Sequence, residues 1–100
     1  MIDQLKQISK YNTLNDSYVL VNSGMDSYTL FEYLSTLDFS DCSISREEID
    51  ITTTKVYDKD GNSDDIATMK IATKGKTTQD FYDLYLLFDI DKLEREYIHS

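Results

Sequence analysis

Hydrophobic and polar residues alternate most clearly in the middle of the chain, between Ile49 and Thr73. Residues 49–57 are rich in β-branched side chains, which fit a pleated strand better than a helix. Residues 66–73 place Ala67, Met69 and Ile71 on one alternating face. Gly61 lies in the polar stretch between the two runs, and glycine tolerates the positive φ of a tight turn. The pattern therefore predicts two antiparallel strands joined by a turn.

The segment from Asp80 to Ile90 fits two interpretations. Read as a strand, its apolar residues alternate without a break. That alternating set is Tyr82, Leu84, Leu86, Phe88 and Ile90. Read as a helix, it has an apolar stripe formed by Phe81, Leu84, Tyr85 and Phe88. We prefer the strand, which would complete a three-stranded antiparallel meander between Ile49 and Ile90, and the helix remains the alternative.

Helical spacing marks the first third of the chain. Apolar residues recur every three positions near the start, at Ile2, Leu5 and Ile8, and predict a short amphipathic helix. A second helix is predicted from about Tyr28 to Leu37, with Asp26 or Ser27 as its N-cap. Its expected buried face consists of Leu30, Phe31, Leu34 and Leu37.

Two further segments complete the prediction. Asp91 to Glu94 has the spacing of a capping box, so a last helix is expected to begin there and to run through Tyr97. The apolar segment Tyr18–Val21 is either a fourth strand or a buried connector. The predicted fold class is α+β, with a three-stranded antiparallel meander, or a four-stranded sheet if this segment joins it, and two or three short helices. One hundred residues suggest a single domain, 1–100.

The acidity of the chain indicates which kinds of partner it can bind. The chain has a net charge of −9, with 19 acidic and 10 basic residues. Residues 1–48 and 80–100 carry this excess, whereas residues 49–79 have five acids and five bases. A negative field repels nucleic acid and anionic membranes and attracts basic surfaces. We therefore expect a basic protein partner and no direct binding to nucleic acid or membrane. The alternative is that the acidity serves solubility alone.

Tyrosine is unusually frequent, with eight residues in a small chain. A core of this size cannot bury eight tyrosines with satisfied hydroxyls, so some are expected at the surface. Exposed tyrosines are favoured at protein interfaces. Several have an acidic neighbour, as in Glu32-Tyr33 and Tyr57-Asp58. The alternative is that they are ordinary residues at the rim of the core.

Candidate chemistry is sparse. The stretch from Asp58 to Asn62 resembles a calcium loop, but Val56 and Ala67 would occupy the first and last ligand positions. Cys42 has only one histidine in the chain, His99, as a possible base, and its neighbour Asp41 should raise the thiol pKa. We expect no catalytic activity, no cofactor and no metal site. The start of the chain lacks a signal-peptide pattern, and we expect a cytoplasmic protein.

In general character the chain resembles small acidic inhibitors from phages and mobile elements, of the anti-CRISPR and anti-restriction kind. The resemblance rests on size, acidity, tyrosine content, the order of helices and meander, and the acid clusters Asp58-Lys59-Asp60 and Asp64-Asp65. It includes no diagnostic motif, and the five lysines of the middle segment depart from an evenly acidic mimic.

By that resemblance, the function would be competitive inhibition, with carboxylates occupying the positions of phosphates in a basic groove and tyrosines adding contact area. The residues expected to contact the partner are Asp58, Asp60, Asp64, Asp65, Glu32, Asp38, Asp41, Tyr57 and Tyr33. The alternative function is an immunity-type or adaptor protein that binds one basic partner without mimicking nucleic acid. The oligomeric state is left open.

Overall fold

The computed structural model describes residues 2–11 and 17–97, with the backbone alone for residues 9–11. Four α-helices and three strands form an α+β fold, which confirms the predicted class. In chain order they are α1 (Gln4–Tyr11), β1 (Tyr18–Asn22), α2 (Ser27–Thr36), β2 (Ile49–Tyr57), β3 (Ser63–Ala72), α3 (Thr78–Phe88) and α4 (Ile90–Glu96). A single turn of 3-10 helix, Arg46–Glu48, precedes β2.

The three strands form an antiparallel sheet in the order β1-β3-β2. The strand predicted over residues 49–57 is confirmed, and β3 begins three residues earlier than predicted. Ile49 lies opposite Ile71 at one end of the hairpin, and Tyr57 lies opposite Ser63 at the other. Tyr18–Asn22 is a strand, as one of the two interpretations allowed. Because it pairs with β3, the sheet is not a meander of consecutive strands.

The strand that we predicted from Asp80 to Ile90 is wrong, because this segment forms α3. Thr77 and Asp80 make a reciprocal capping box: the Thr77 hydroxyl accepts from the Asp80 amide, and the Asp80 carboxylate accepts from the Thr77 amide. The segment is rich in leucine, a good helix former, and contains only one β-branched residue, Ile90. The predicted alternative stripe is largely correct, since Phe81, Leu84 and Phe88 are all fully buried.

The core lies on one face of the sheet, beneath the helices. Ala67, Met69 and Ile71 of β3 are fully buried, which confirms the predicted inward face. Helix α1 packs against α3 and contributes Leu5 to the core, and Ile2, just before the helix, is also buried there. None of the described strand residues on the opposite face of the sheet is buried. The sheet therefore packs against the core on one side only.

Helix α2 begins at its predicted cap and buries most of the expected face, since Leu37 just after it is also buried. Asp26 accepts a hydrogen bond from the Thr29 amide at 2.6 Å, and bonds from Thr29 hold the pKa of this carboxyl below its usual value. Leu30 and Leu34 are buried as predicted. The prediction for Phe31 is wrong, since its side chain is 60% exposed. Tyr33 occupies the core in its place.

The last two helices meet at one residue. Asp89 has a left-handed backbone conformation, with φ 47° and ψ 78°, and it is both the C-cap of α3 and the N-cap of α4. Its carboxylate accepts from the Lys92 amide at 3.3 Å. The last predicted helix is thus present, but its cap lies two residues before Asp91. A short polar side chain suits this role, since Asp tolerates the left-handed region better than most residues.

Candidate protein-binding surfaces

The β2–β3 hairpin extends beyond the rest of the sheet as an exposed arm, which we define as residues 53–65. Strand β1 pairs only with residues 68–72, so within residues 2–11 and 17–97 no third strand lies beside the outer half of the hairpin. Every residue from Thr52 to Asp65 is exposed. Both faces of the arm and its turn are therefore exposed.

Hydrogen bonds within the turn order the tip of the arm. The Asp58 carboxylate accepts from the amides of Asp60 and Asn62, both at 2.9 Å. The Asp58 amide donates to the Asn62 carbonyl at 2.9 Å, and Gly61 has a φ of 85°. Asp58 is therefore both an exposed acid and a structural part of the turn.

The four predicted acids of the arm are distributed over three sides. The strand register places Asp64 opposite Val56 on the outer face, and Asp65 opposite Lys55 on the face that is continuous with the core. The Lys55 ammonium lies 3.8 Å from the Asp65 carboxylate, in an exposed pair that contributes little to stability. Asp60 lies in the turn. The carboxylates of Asp60 and Asp64 make no ion pair with any described residue.

Tyr57 is the aromatic residue of this arm. It ends β2 next to the turn, and its side chain is 65% exposed. Side chains alternate along a strand, so Tyr57 shares its face with Lys55 and Asp65. The structure thus brings Tyr57 together with the four predicted arm acids.

The other three predicted acids are exposed but lie away from the arm. Ser27, at the start of α2, contacts Thr53 at the root of the arm, with 2.7 Å between their hydroxyl oxygens. Arg46, just before β2, donates to the Leu34 and Leu37 carbonyls at the far end of α2. Helix α2 therefore runs along β2 in the opposite direction. Glu32 lies in the middle of this helix, on its exposed side.

Asp38 and Asp41 follow the C-terminal end of α2, close to the beginning of β2. Hydrogen bonds from Ser40 hold the pKa of Asp38 below its usual value, and the Arg46 charge adds to this effect. The nine residues of β2 separate this region from the tip of the arm by about 26 Å at roughly 3.3 Å per residue. The predicted acids thus occupy the two ends and the middle of the molecule, not one patch.

The prediction that Tyr33 contacts a partner must be corrected, because its side chain is fully buried. Its hydroxyl donates to the Phe88 carbonyl at the end of α3. The Tyr97 ring packs against it edge-on, with 4.9 Å between the ring centroids. Burial, with smaller effects from nearby Asp89, Tyr97 and Glu96, raises the pKa of Tyr33 to about 12. Tyr33 therefore belongs to the core.

The sequence analysis missed an exposed aromatic pair on α2. Tyr28 is 78% exposed and Phe31 is 60% exposed. With Glu32 and Ser35 they follow the spacing i, i+3, i+4 and i+7, so the four residues share one side of the helix. We call them the α2 stripe. The signal in the sequence was the apolar spacing of residues 30–34, which allowed the buried face to be centred on either Phe31 or Tyr33.

We next consider the Cys42 thiol and the side chains that could bind a metal ion. Burial raises the pKa of the Cys42 thiol, and the charges of Asp83, Asp80 and Glu48 add to the effect. The direction was predicted, but the neighbouring acid expected to cause it was Asp41. Among residues 2–8 and 17–97, no cluster of three His, Cys, Asp or Glu side chains is arranged to hold a metal ion. No helix in the described part of the chain is long and apolar enough to span a bilayer.

A surface groove lies between α1 and β1. It has a volume of about 760 Å³, and its described lining consists of Gln4, Gln7, Ile8 and residues 17–20. This described lining contains no carboxyl, imidazole or thiol group. Comparisons of the chain with protein-family models, curated protein sequences and solved structures gave no match.

Proposed function

We propose that this chain is an acidic protein-binding inhibitor that inserts its β2–β3 arm into a basic, nucleic-acid-binding groove of a partner, such as a CRISPR or restriction effector. Carboxylates of the arm would occupy positions that phosphates take in the groove, and DNA or RNA would be displaced. The observation that carries the proposal is the arm itself, in which Asp58, Asp60, Asp64 and Asp65 surround an exposed two-stranded projection.

The charge density favours insertion of the arm over imitation of a long duplex. Duplex DNA carries one charge per ~1.7 Å along its axis, whereas Glu32, Asp38 and Asp41 lie away from the arm and do not continue its acids as a closely spaced row. The arm, in contrast, gathers the other four predicted acids at one end. Two paired strands are only about 4.8 Å apart, so the arm is narrow enough to enter a groove.

A second candidate function is an adaptor or immunity-type protein that binds one basic partner through shape and aromatic contacts. The exposure of Tyr28 and Phe31 on α2 favours this candidate, because such side chains are common at the centres of protein interfaces. The two functions differ in salt dependence. Binding by the arm should weaken steeply with salt and compete with nucleic acid, whereas binding through aromatic contacts should do neither strongly.

The triple variant Asp60→Asn, Asp64→Asn, Asp65→Asn tests the role of the arm. It leaves Asp58 in place, because that carboxylate holds the turn together. All three side chains are exposed, so folding should be preserved, and partner binding should weaken at least about tenfold. The matched control is Glu47→Gln, Asp91→Asn, Glu94→Gln, which removes the same charge from exposed positions outside the arm.

Immobilised wild-type protein and both variants would be used to capture proteins from a bacterial lysate, which mass spectrometry would identify. The proposal expects a nucleic-acid-binding protein on the wild type and the control, weakly retained by the arm variant and released by added DNA or RNA. A partner retained equally by all three proteins and unaffected by nucleic acid would contradict the proposal and favour the adaptor function.

A further inference from the structure

The α2 stripe is an aromatic and acidic surface that the fold does not use. Leu30, Tyr33 and Leu34 already supply the buried side of α2, so Tyr28 and Phe31 add nothing to the core. Two large rings that remain 78% and 60% exposed leave apolar area in water. This cost is expected at a surface that a partner covers.

The charges beside the rings indicate the chemistry of that partner. Helix α2 contains no basic residue, and Glu32 lies four positions after Tyr28 and next to Phe31. Residues four apart on a helix have Cβ atoms only about 5–6 Å apart. A cation that lies over the Tyr28 ring can therefore also reach the Glu32 carboxylate.

Rings elsewhere in the chain already have such a cation. The Lys70 ammonium lies 4.4 Å from the Tyr18 ring centroid, the Arg46 guanidinium lies 5.0 Å from that of Phe39, and the Lys6 ammonium lies 5.9 Å from that of Tyr85. Within the described part of the chain, no cation lies over Tyr28 or Phe31. The α2 stripe thus has the ring and the acid of a cation-binding surface, and none of the described residues supplies the cation.

We propose that the α2 stripe is a docking surface for arginine side chains of a partner protein. Arginine fits better than lysine, because its planar guanidinium stacks on a ring and forms two parallel hydrogen bonds with a carboxylate. A lysine ammonium is a compact, strongly hydrated charge that makes only the electrostatic contact. This inference depends on α2 alone, and it holds whether or not the arm enters a nucleic-acid-binding groove.

Two peptides of equal charge separate stacking from general attraction to an acidic protein. Fluorescein-labelled peptides with six Arg-Gly or six Lys-Gly repeats would be titrated with the protein and followed by fluorescence anisotropy. The net charge of −9 attracts both peptides equally, so the ratio of their dissociation constants isolates the guanidinium. The wild type should bind the arginine peptide about fivefold more tightly, as expected for stacking on exposed rings.

The double variant Tyr28→Leu, Phe31→Leu keeps much of the apolar area and removes the aromatic rings. For this variant, the ratio of the dissociation constants of the two peptides should fall to about one. The control Tyr18→Leu removes a partly exposed ring that already has the Lys70 ammonium over it, and should leave the ratio unchanged. The further variant Tyr57→Ala tests whether the exposed ring of the arm contributes. Amide shifts in ¹⁵N-labelled protein should change around residues 28–35 when the arginine peptide is added.

Three outcomes would overturn the inference. One is a wild-type ratio of one, and another is a preference that persists in the leucine variant. Loss of the preference in Tyr57→Ala alone would move arginine binding to the arm. Sedimentation of the unliganded protein gives a further check, because a dimer that is lost in the leucine variant would assign the stripe to a second copy of this chain. None of these results depends on the arm variant, so the two proposals can fail separately.

Discussion

Tyr33→Ala should destabilise the folded protein by about 3–5 kcal/mol, the usual cost of removing a large buried aromatic side chain. Tyr33 lies on the buried side of α2, where it is fully buried and its ring packs against the Phe88 and Tyr97 rings. A domain of this size is stable by only about 5–15 kcal/mol, so one substitution would remove a large part of its stability. Urea unfolding followed by circular dichroism measures the change.

The variant Tyr33→Phe measures how much the hydroxyl alone contributes to stability, because the ring is kept. The last carbonyls of a helix have no partner within it, and the Tyr33 hydroxyl donates to one of them, that of Phe88. Phenylalanine keeps the ring but leaves this acceptor without its bond, at a cost of about 1–3 kcal/mol. Tyr28→Ala, at a 78% exposed position, serves as the control and should change stability by about 0.5 kcal/mol or less. Equal losses in Tyr33→Ala and Tyr28→Ala would contradict the buried position of Tyr33.

The same hydroxyl should make stability fall at alkaline pH. Burial raises the pKa of Tyr33 to about 12 in the folded protein, whereas an unfolded tyrosine titrates near ~10. Below pH ~10 the hydroxyl is neutral in both states, and its contribution to stability is fully present. Between pH ~10 and ~12 the unfolded state loses the proton first, so the free energy of unfolding decreases. The stability difference between wild type and Tyr33→Phe should therefore shrink from pH 9 to pH 11.5, and a constant difference would contradict this.

The hairpin could be predicted from the sequence because local and long-range preferences agree there. The threonine-rich run of β2 favours a strand by propensity, and Ala67, Met69 and Ile71 alternate in β3 because only one face of the sheet is buried. Gly61 also has the positive φ expected of the turn. A local capping signal likewise placed the start of α2 at Asp26 or Ser27, and Asp26 is the cap.

The α2 face could not be predicted because propensity does not distinguish one apolar side of a helix from another. Leu30 and Leu34 fit a buried face centred on Phe31 as well as one centred on Tyr33. The buried Tyr33 hydroxyl is satisfied by the Phe88 carbonyl, a tertiary contact 55 residues away that no local pattern contains. This one rotation moved Tyr33 from the predicted surface to the core, and Phe31 from the predicted core to the surface.

The acidity of the sequence indicated that carboxylates could form an interface, but it did not show which of them lie on the same surface. The four arm acids are close in sequence and joined by a hairpin, so their proximity followed from local structure. Asp38 and Asp41 depend on the direction of α2 relative to β2, which is set by contacts of Ser27 and Arg46 that no local pattern contains. Only the arm could therefore be predicted as a single surface.

Leu84→Ala and Leu86→Ala should differ sharply in stability, and this pair tests the helix that the sequence left ambiguous. In a strand the two side chains would point to the same face, so both substitutions would have similar effects. In α3, Leu84 is fully buried against the core, whereas Leu86 is 56% exposed. Alanine is a better helix former than leucine, so neither substitution should weaken the helix itself.

The expected loss is about 2–5 kcal/mol for Leu84→Ala, because the substitution removes buried methyl groups and leaves a cavity. Leu86→Ala should change the free energy of unfolding by about 0.5 kcal/mol or less. Far-ultraviolet circular dichroism of both variants at low urea concentration shows whether the helices are retained, and urea titration gives the two free energies. Similar losses from the two substitutions would favour the alternating strand over α3, and would also remove the capped helix end on which the Tyr33 bond depends.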